Sequence, residues 1–110
     1  PEAMCVIDVN SGKNIAKSKK QADKERAALG VNMEAAAQVI NQIRLRNISG
    51  IIIIDFINMQ EEASVKELLS YMKGLAKKEH ITTNVVDMTP LGLVEMTRKN
   101  NGKTLKELIR

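Results

Sequence analysis

Apolar residues along the chain recur with two spacings, and the switch between them sets out the elements. Cys5-Val6-Ile7 and Ile51-Ile52-Ile53-Ile54 are unbroken aliphatic runs, each closed by an aspartate, Asp8 and Asp55. Such runs suit strands buried on both faces, as in a sheet covered by helices. They predict strands over 4–9 and 51–57. A third strand is expected over 81–87, where Ile-Thr-Thr-Asn-Val-Val-Asp is rich in β-branched residues. Spacing of three and four takes over at Met33, Ala36, Ala37, Ile40 and Ile43, and again at Val65, Leu68, Leu69, Met72, Leu75 and Ala76. This predicts amphipathic helices over 32–47 and 61–79. Asn32 is placed as N-cap of the first helix, which Ser49-Gly50 ends. Glu61 and Glu62 open the second helix and Lys77 and Lys78 close it, as the helix dipole favours.

The remaining segments read as breaks and short elements. Asn10-Ser11-Gly12 is a turn, because Asn and Gly tolerate left-handed backbone angles. A short second strand through 13–17 would make a hairpin. The basic stretch 13–30 is expected to be mobile, above all over 18–30. Pro90 breaks the chain before a short helix over Leu91–Lys99, and Asn100-Asn101-Gly102 precede a charged helical tail over 103–110. Crossovers between parallel strands are nearly always right-handed. The expected fold is therefore α/β, a mainly parallel or mixed sheet with a βαβαβ core flanked by helices, in a single domain over 1–110.

Size and cysteine usage narrow the classes. The 110 residues support one core and leave no room for a second. The chain opens with Pro1-Glu2 rather than Met, so we expect it to be processed or a piece of something longer. No apolar run approaches the ~20 residues of a membrane span, and nothing resembles a signal peptide. Cys5 is the sole cysteine. This excludes an internal disulfide and a cysteine-based zinc site, and fits a cytosolic setting.

Charge adds a partner class. Lys13, Lys17, Lys19, Lys20, Lys24 and Arg26 face only Asp23 and Glu25 between Ser11 and Arg26, and this net of four equals the formal +4 of the whole chain. A basic strip of this kind is either a solvated loop or a surface for a polyanion, since phosphate contacts supply much of nucleic-acid affinity. Phe56 and Tyr71 are the only aromatics. The chain cannot by itself build a stacking platform for single strands.

The candidate chemistry centres on Asp8 and Asp55. An aspartate after a strand often just starts a turn, but two of them, each following an aliphatic run, fall at one rim if their strands are neighbours. Open α/β sheets bind ligands at the C-terminal edge of their strands. Parallel neighbours lie about 4.8 Å apart, within reach of one ion. Magnesium is held by one or two carboxylates with water or phosphate in its other positions, and carboxylates without histidine or thiol favour Mg2+ or Mn2+ over zinc. Asn10, two residues past Asp8, would share its face or form a turn; Asn58, three past Asp55, has the same two readings. Arg98, Lys99 and the basic strip are candidates for phosphate contact or plain surface residues. His80 sits at a helix end and receives no catalytic role.

Several stretches carry a family resemblance. Ile7-Asp8-Val9-Asn10-Ser11-Gly12, Asn32-Met33-Glu34-Ala35-Ala36, the segment from Ile43-Arg44-Leu45-Arg46-Asn47 through Ile51-Ile52-Ile53-Ile54-Asp55-Phe56-Ile57, and Leu91-Gly92-Leu93-Val94-Glu95-Met96-Thr97-Arg98 resemble, in order and spacing, the catalytic core of the ribonuclease E/G family. The resemblance covers about residues 3–99. It implies a deoxyribonuclease I-like subdomain of a cytoplasmic, magnesium-dependent endoribonuclease acting on single-stranded RNA in RNA decay and ribosomal RNA maturation. It places the metal-holding aspartates on Asp8 and Asp55, the supporting asparagine on Asn10 and Arg98 near the RNA; Lys13, from the basic strip, is a further candidate for RNA contact. It also implies a homo-oligomer for the full-length protein.

The chain departs from the family pattern in places. Asn58 stands where members usually carry an acid, and 13–30 fits poorly after its start. The oligonucleotide-binding barrel, the 5′-end sensor and the zinc-sharing cysteines of the family have no counterpart in these residues. Two alternatives stay open at this point: an α/β regulatory domain indifferent to magnesium and RNA, and an RNA-binding adaptor that does not cleave.

Overall fold

The computed structural model describes residues 3–9 and 20–100. The turn at 10–12, the strand expected over 13–17 and the tail over 103–110 lie outside the described residues, as do Asn10 and Lys13. The elements are β1 (Ala3–Asp8), α1 (Gln21–Leu45), β2 (Gly50–Asp55), α2 (Glu62–Lys77), β3 (Thr83–Met88) and β4 (Leu93–Arg98). The strands lie in the order β1-β2-β4-β3. The β1–β2 pair is parallel, while β4 runs antiparallel to both β2 and β3. The fold is α/β with a mixed sheet.

Two elements, α1 and β4, differ from the sequence expectation. The first helix begins at Gln21, so residues 21–30, expected to be mobile, form its opening turns. Asn32 is not an N-cap but an interior helical residue, fully buried. Leu93–Arg98 is a strand and not a helix. Leu, Glu and Met suit a helix intrinsically, but pairing along both edges of β4 overrides propensity. The turn before it brings that pairing about. Gly92 N–H donates to Thr89 O (2.9 Å), Pro90 takes the second position, and Gly92 has φ +83°.

Helix α1 ends at a left-handed residue. Asn47 has φ 50°, its N–H donates to Arg44 O (3.1 Å), and Ile48 N–H reaches back to Ile43 O (2.9 Å). This double bond pattern satisfies the last carbonyls and turns the chain into β2. The far ends of the helices are tied by Arg44 and Glu79, 2.6 Å apart.

Among the described residues the sheet is covered on one face only, which corrects the expectation of strands buried on both. Ile52, Ile54, Val94 and Met96 are fully buried against Ala36, Ile40, Ile43, Leu68 and Met72 of the two helices. Their neighbours along the strands face out: Met4 is 65% exposed, Val6 67% and Ile51 41%. An aliphatic run here thus serves one buried face through alternate residues and leaves the others in solvent.

Candidate metal centre

Asp8 and Asp55 are register partners. The parallel ladder pairs Ala3 with Gly50 and continues rung by rung to Ile7 with Ile54 and Asp8 with Asp55. Both acids therefore end their strands at the same level, on the same uncovered face, on strands about 4.8 Å apart. One further rung holds them there: Val9 N–H donates to Asp55 O at 2.9 Å. Asp8 is exposed and Asp55 half-buried.

The donor set suits a hard cation. Cys5 and Ile7 sit on the other, core-packed side of β1, and His80 is exposed beyond the end of α2. The pair thus offers carboxylate oxygens without soft or imidazole ligands, the chemistry of Mg2+ or Mn2+. Among the described residues no three acidic, histidine or cysteine side chains come together as ligands for an ion. Two carboxylates leave the remaining coordination positions to water and substrate oxygens, as magnesium sites commonly do.

Arg98 is not part of this site. It pairs with Gly50, at the opposite end of β2 from Asp55, and points into the core side of the sheet. It is 3% exposed, and one of its terminal nitrogens donates to Ile48 O (2.9 Å) and Asn47 Oδ1 (3.1 Å). The guanidinium braces the turn between α1 and β2 and has no surface for an RNA phosphate. Asn58 is exposed in the connector after β2.

The structure adds residues that sequence reasoning missed. Glu95, half-buried, shares the uncovered face one strand over from Asp55, opposite Asp87 of β3. The alternation Val94-Glu95-Met96 carried that signal, had the segment been read with a period of two. Glu25, only 4% exposed, accepts hydrogen bonds from Gln60 N–H (2.8 Å) and Glu61 N–H (2.9 Å) where α2 begins. Burial pushes its carboxyl up, but hydrogen bonds from Gln60, the Ser64 side chain and Glu61 outweigh this and hold it below the usual value. Asn32, on the same stripe of α1, donates to Ile57 O and accepts from Ile57 N–H, both at 2.9 Å.

Comparison with known proteins gives the family. The sequence profile described as "Ribonuclease E/G family" matches residues 1–101. The chain belongs to the ribonuclease E/G family. It is 40% identical over 107 residues to ribonuclease E of Synechocystis sp., covering 97% of this chain and 15% of that protein. It is 38% identical over 109 residues to a ribonuclease E/G-like protein of Pyropia yezoensis (98% and 20%) and 37% identical over 108 residues to ribonuclease G of Haemophilus influenzae (98% and 21%). The chain thus spans about a fifth or less of the length of these ribonuclease E/G relatives.

Proposed function

We propose that this chain is the metal-holding, deoxyribonuclease I-like part of an endoribonuclease that hydrolyses phosphodiester bonds of single-stranded RNA. The reading rests above all on the same-face, same-level pairing of Asp8 and Asp55. These two residues would hold Mg2+, with Mn2+ as a substitute. When bound, such an ion lowers the pKa of a coordinated water and offsets charge developing at phosphorus. The half-buried Asp55, its carbonyl tied to Val9, gives the site its fixed wall, and the exposed Asp8 faces the incoming strand. Asn10, two residues past Asp8, would orient the reacting groups. Lys13, in the basic segment, would meet the RNA backbone.

The face that carries both acids is not covered by either helix, so a flexible polyanion has access to them. With two aromatics in the chain, base stacking has to come from other parts of the enzyme. The whole protein would act in RNA decay and ribosomal RNA maturation in the cytoplasm, as a homo-oligomer. No described helix is long and apolar enough to cross a membrane.

Asp8→Asn and Asp55→Asn, each made in the full-length protein, are expected to abolish RNA cleavage while thermal unfolding stays within about 0.5 kcal/mol of the parent. A magnesium titration followed by NMR should shift the amides around Asp8 and Asp55 first. Retained cleavage in either variant refutes the assignment.

A further inference from the structure

The connector from β2 to α2, residues 56–61, carries the chain away from Asp55 just where the ladder stops. At Ile57 the strand has ended, so its N–H and C=O have lost their neighbours in the sheet. A buried peptide group without partners is costly, and it must be satisfied from elsewhere. Asn32 does this with one side chain: its amide oxygen takes Ile57 N–H and its amide nitrogen gives to Ile57 O, each at 2.9 Å. Only an amide side chain offers an acceptor and a donor side by side in this way. In effect Asn32 stands in for one rung of a neighbouring strand.

Two turns earlier on the same buried stripe of α1, Glu25 takes the N–H groups of Gln60 and Glu61. Phe56, between Asp55 and Ile57, is 2% exposed in the core. The backbone on the far side of Asp55 is thus pinned at three residues by two polar side chains of one helix. On its near side, Asp55 O is held by Val9 N–H. An interior asparagine and glutamate in an otherwise apolar stripe of Ala28, Ala36, Val39, Ile40 and Ile43 have no packing advantage over leucine. Their hydrogen bonds go to the segment that leaves Asp55 and, for Glu25, also to Ser64 in the first turn of α2.

We infer that Asn32, seconded by Glu25, is a positioning residue that fixes the exit of β2 and so keeps the Asp55 carboxylate level with Asp8. This deepens the reading under Proposed function and rests on it. Residues that orient metal ligands from behind typically govern metal affinity by ten- to a hundredfold.

The test compares Asn32→Leu with Ile43→Ala, a core change at the other end of α1, both in this 110-residue chain. Amide hydrogen exchange gives a readout that needs no metal. In Asn32→Leu the Val9 amide should lose at least about tenfold of its protection. The Lys99 amide, which donates to Thr82 O at the opposite end of the sheet (2.9 Å), should keep its own. Mn2+ affinity, read from paramagnetic broadening at Asp8 and Asp55, should fall about tenfold in Asn32→Leu and stay at the parent value in folded Ile43→Ala. Should the leucine variant not fold, Asn32→Asp, which keeps the acceptor for Ile57 N–H, carries the same comparison with a smaller loss. Val9 protection that holds, or that falls only in step with Lys99 or equally in Ile43→Ala, overturns the positioning role. A parent chain in which Mn2+ leaves Asp8 and Asp55 untouched overturns the functional reading itself, and the exchange result alone then shows whether Asn32 sets the strand end.

Discussion

Glu25 offers the sharpest test of how the structure is held around the site. Helix α2 begins with Glu61 at its N-cap, and no side chain of that residue caps the exposed N–H groups. The cap comes instead from Glu25 across the helix interface, through Gln60 N–H and Glu61 N–H. Hydrogen bonds to an ionised group contribute about 1.5–3 kcal/mol each, but two sharing one carboxylate do not add in full. Glu25→Ala should therefore cost about 2–4 kcal/mol. Glu25→Gln, which keeps the shape and one acceptor, should cost about 1–2 kcal/mol, a noticeable share of a stability of about 5–15 kcal/mol. Urea unfolding followed by far-UV circular dichroism measures both. The pH dependence carries the sign: the folded chain holds this carboxyl below its ordinary 4.5, so it takes up a proton less readily than the unfolded chain. The stabilisation is complete above about pH 4.5 and is lost as pH falls through the lower folded value. The gap between parent and Glu25→Gln should be flat from neutral pH to that point and close below it. A gap that persists unchanged in acid, or a Glu25→Ala variant within about 0.5 kcal/mol of the parent at pH 7, refutes the cap.

Arg98→Met should lower stability by about 1–3 kcal/mol, because Ile48 O loses its buried donor. In the full-length protein it should leave the salt dependence of RNA affinity unchanged; a slope reduced by about one unit would mark Arg98 as a phosphate contact after all. The one-sided sheet is tested by neighbours in β2: Ile54→Ala, at a fully buried position, should cost about 2–5 kcal/mol, and Ile53→Ala, on the uncovered face, clearly less. Equal losses by chemical denaturation would mean that the second face is buried too.

Strands β1, β2 and β3 and the second helix were legible because their signals were dense. Four β-branched residues ending in Asp55 could hardly be anything but a strand, and the apolar stripe of α2 left no competing period. Two readings went astray for identifiable reasons. The opening half of α1 places Glu25 and Asn32 in its buried stripe and carries lysines outside, so its apolar pattern fades and the charges suggest a loop. In β4, Val94, Met96 and Arg98 alternate inward with Leu93, Glu95 and Thr97, but the intrinsic preference of Leu, Glu and Met masks that alternation. Whether an aliphatic run is buried on both faces or one is not written in the run itself. Only the placement of the helices decides it.

Of the candidate site, the sequence could yield the acids but not what aims them. Asp8 and Asp55 announce themselves because each follows an apolar run, and neighbouring parallel strands bring equal positions level without further instruction. Asn32 gave the opposite impression, since an asparagine ahead of an apolar helical pattern is an ordinary N-cap. Its part emerges only once α1 lies across the exit of β2, where a helix interior that would normally exclude polar groups meets a backbone that has run out of strand partners. A polar residue at an apolar position of a periodic pattern is then better read as the mate of an orphaned peptide group than as a defect in the pattern. Glu25, two turns earlier on the stripe, answers the same need at the next helix start. The logic is general for open α/β sites: the residues that carry the chemistry stand at strand ends, where the ladder stops satisfying the backbone, and something buried behind them has to take over that satisfaction.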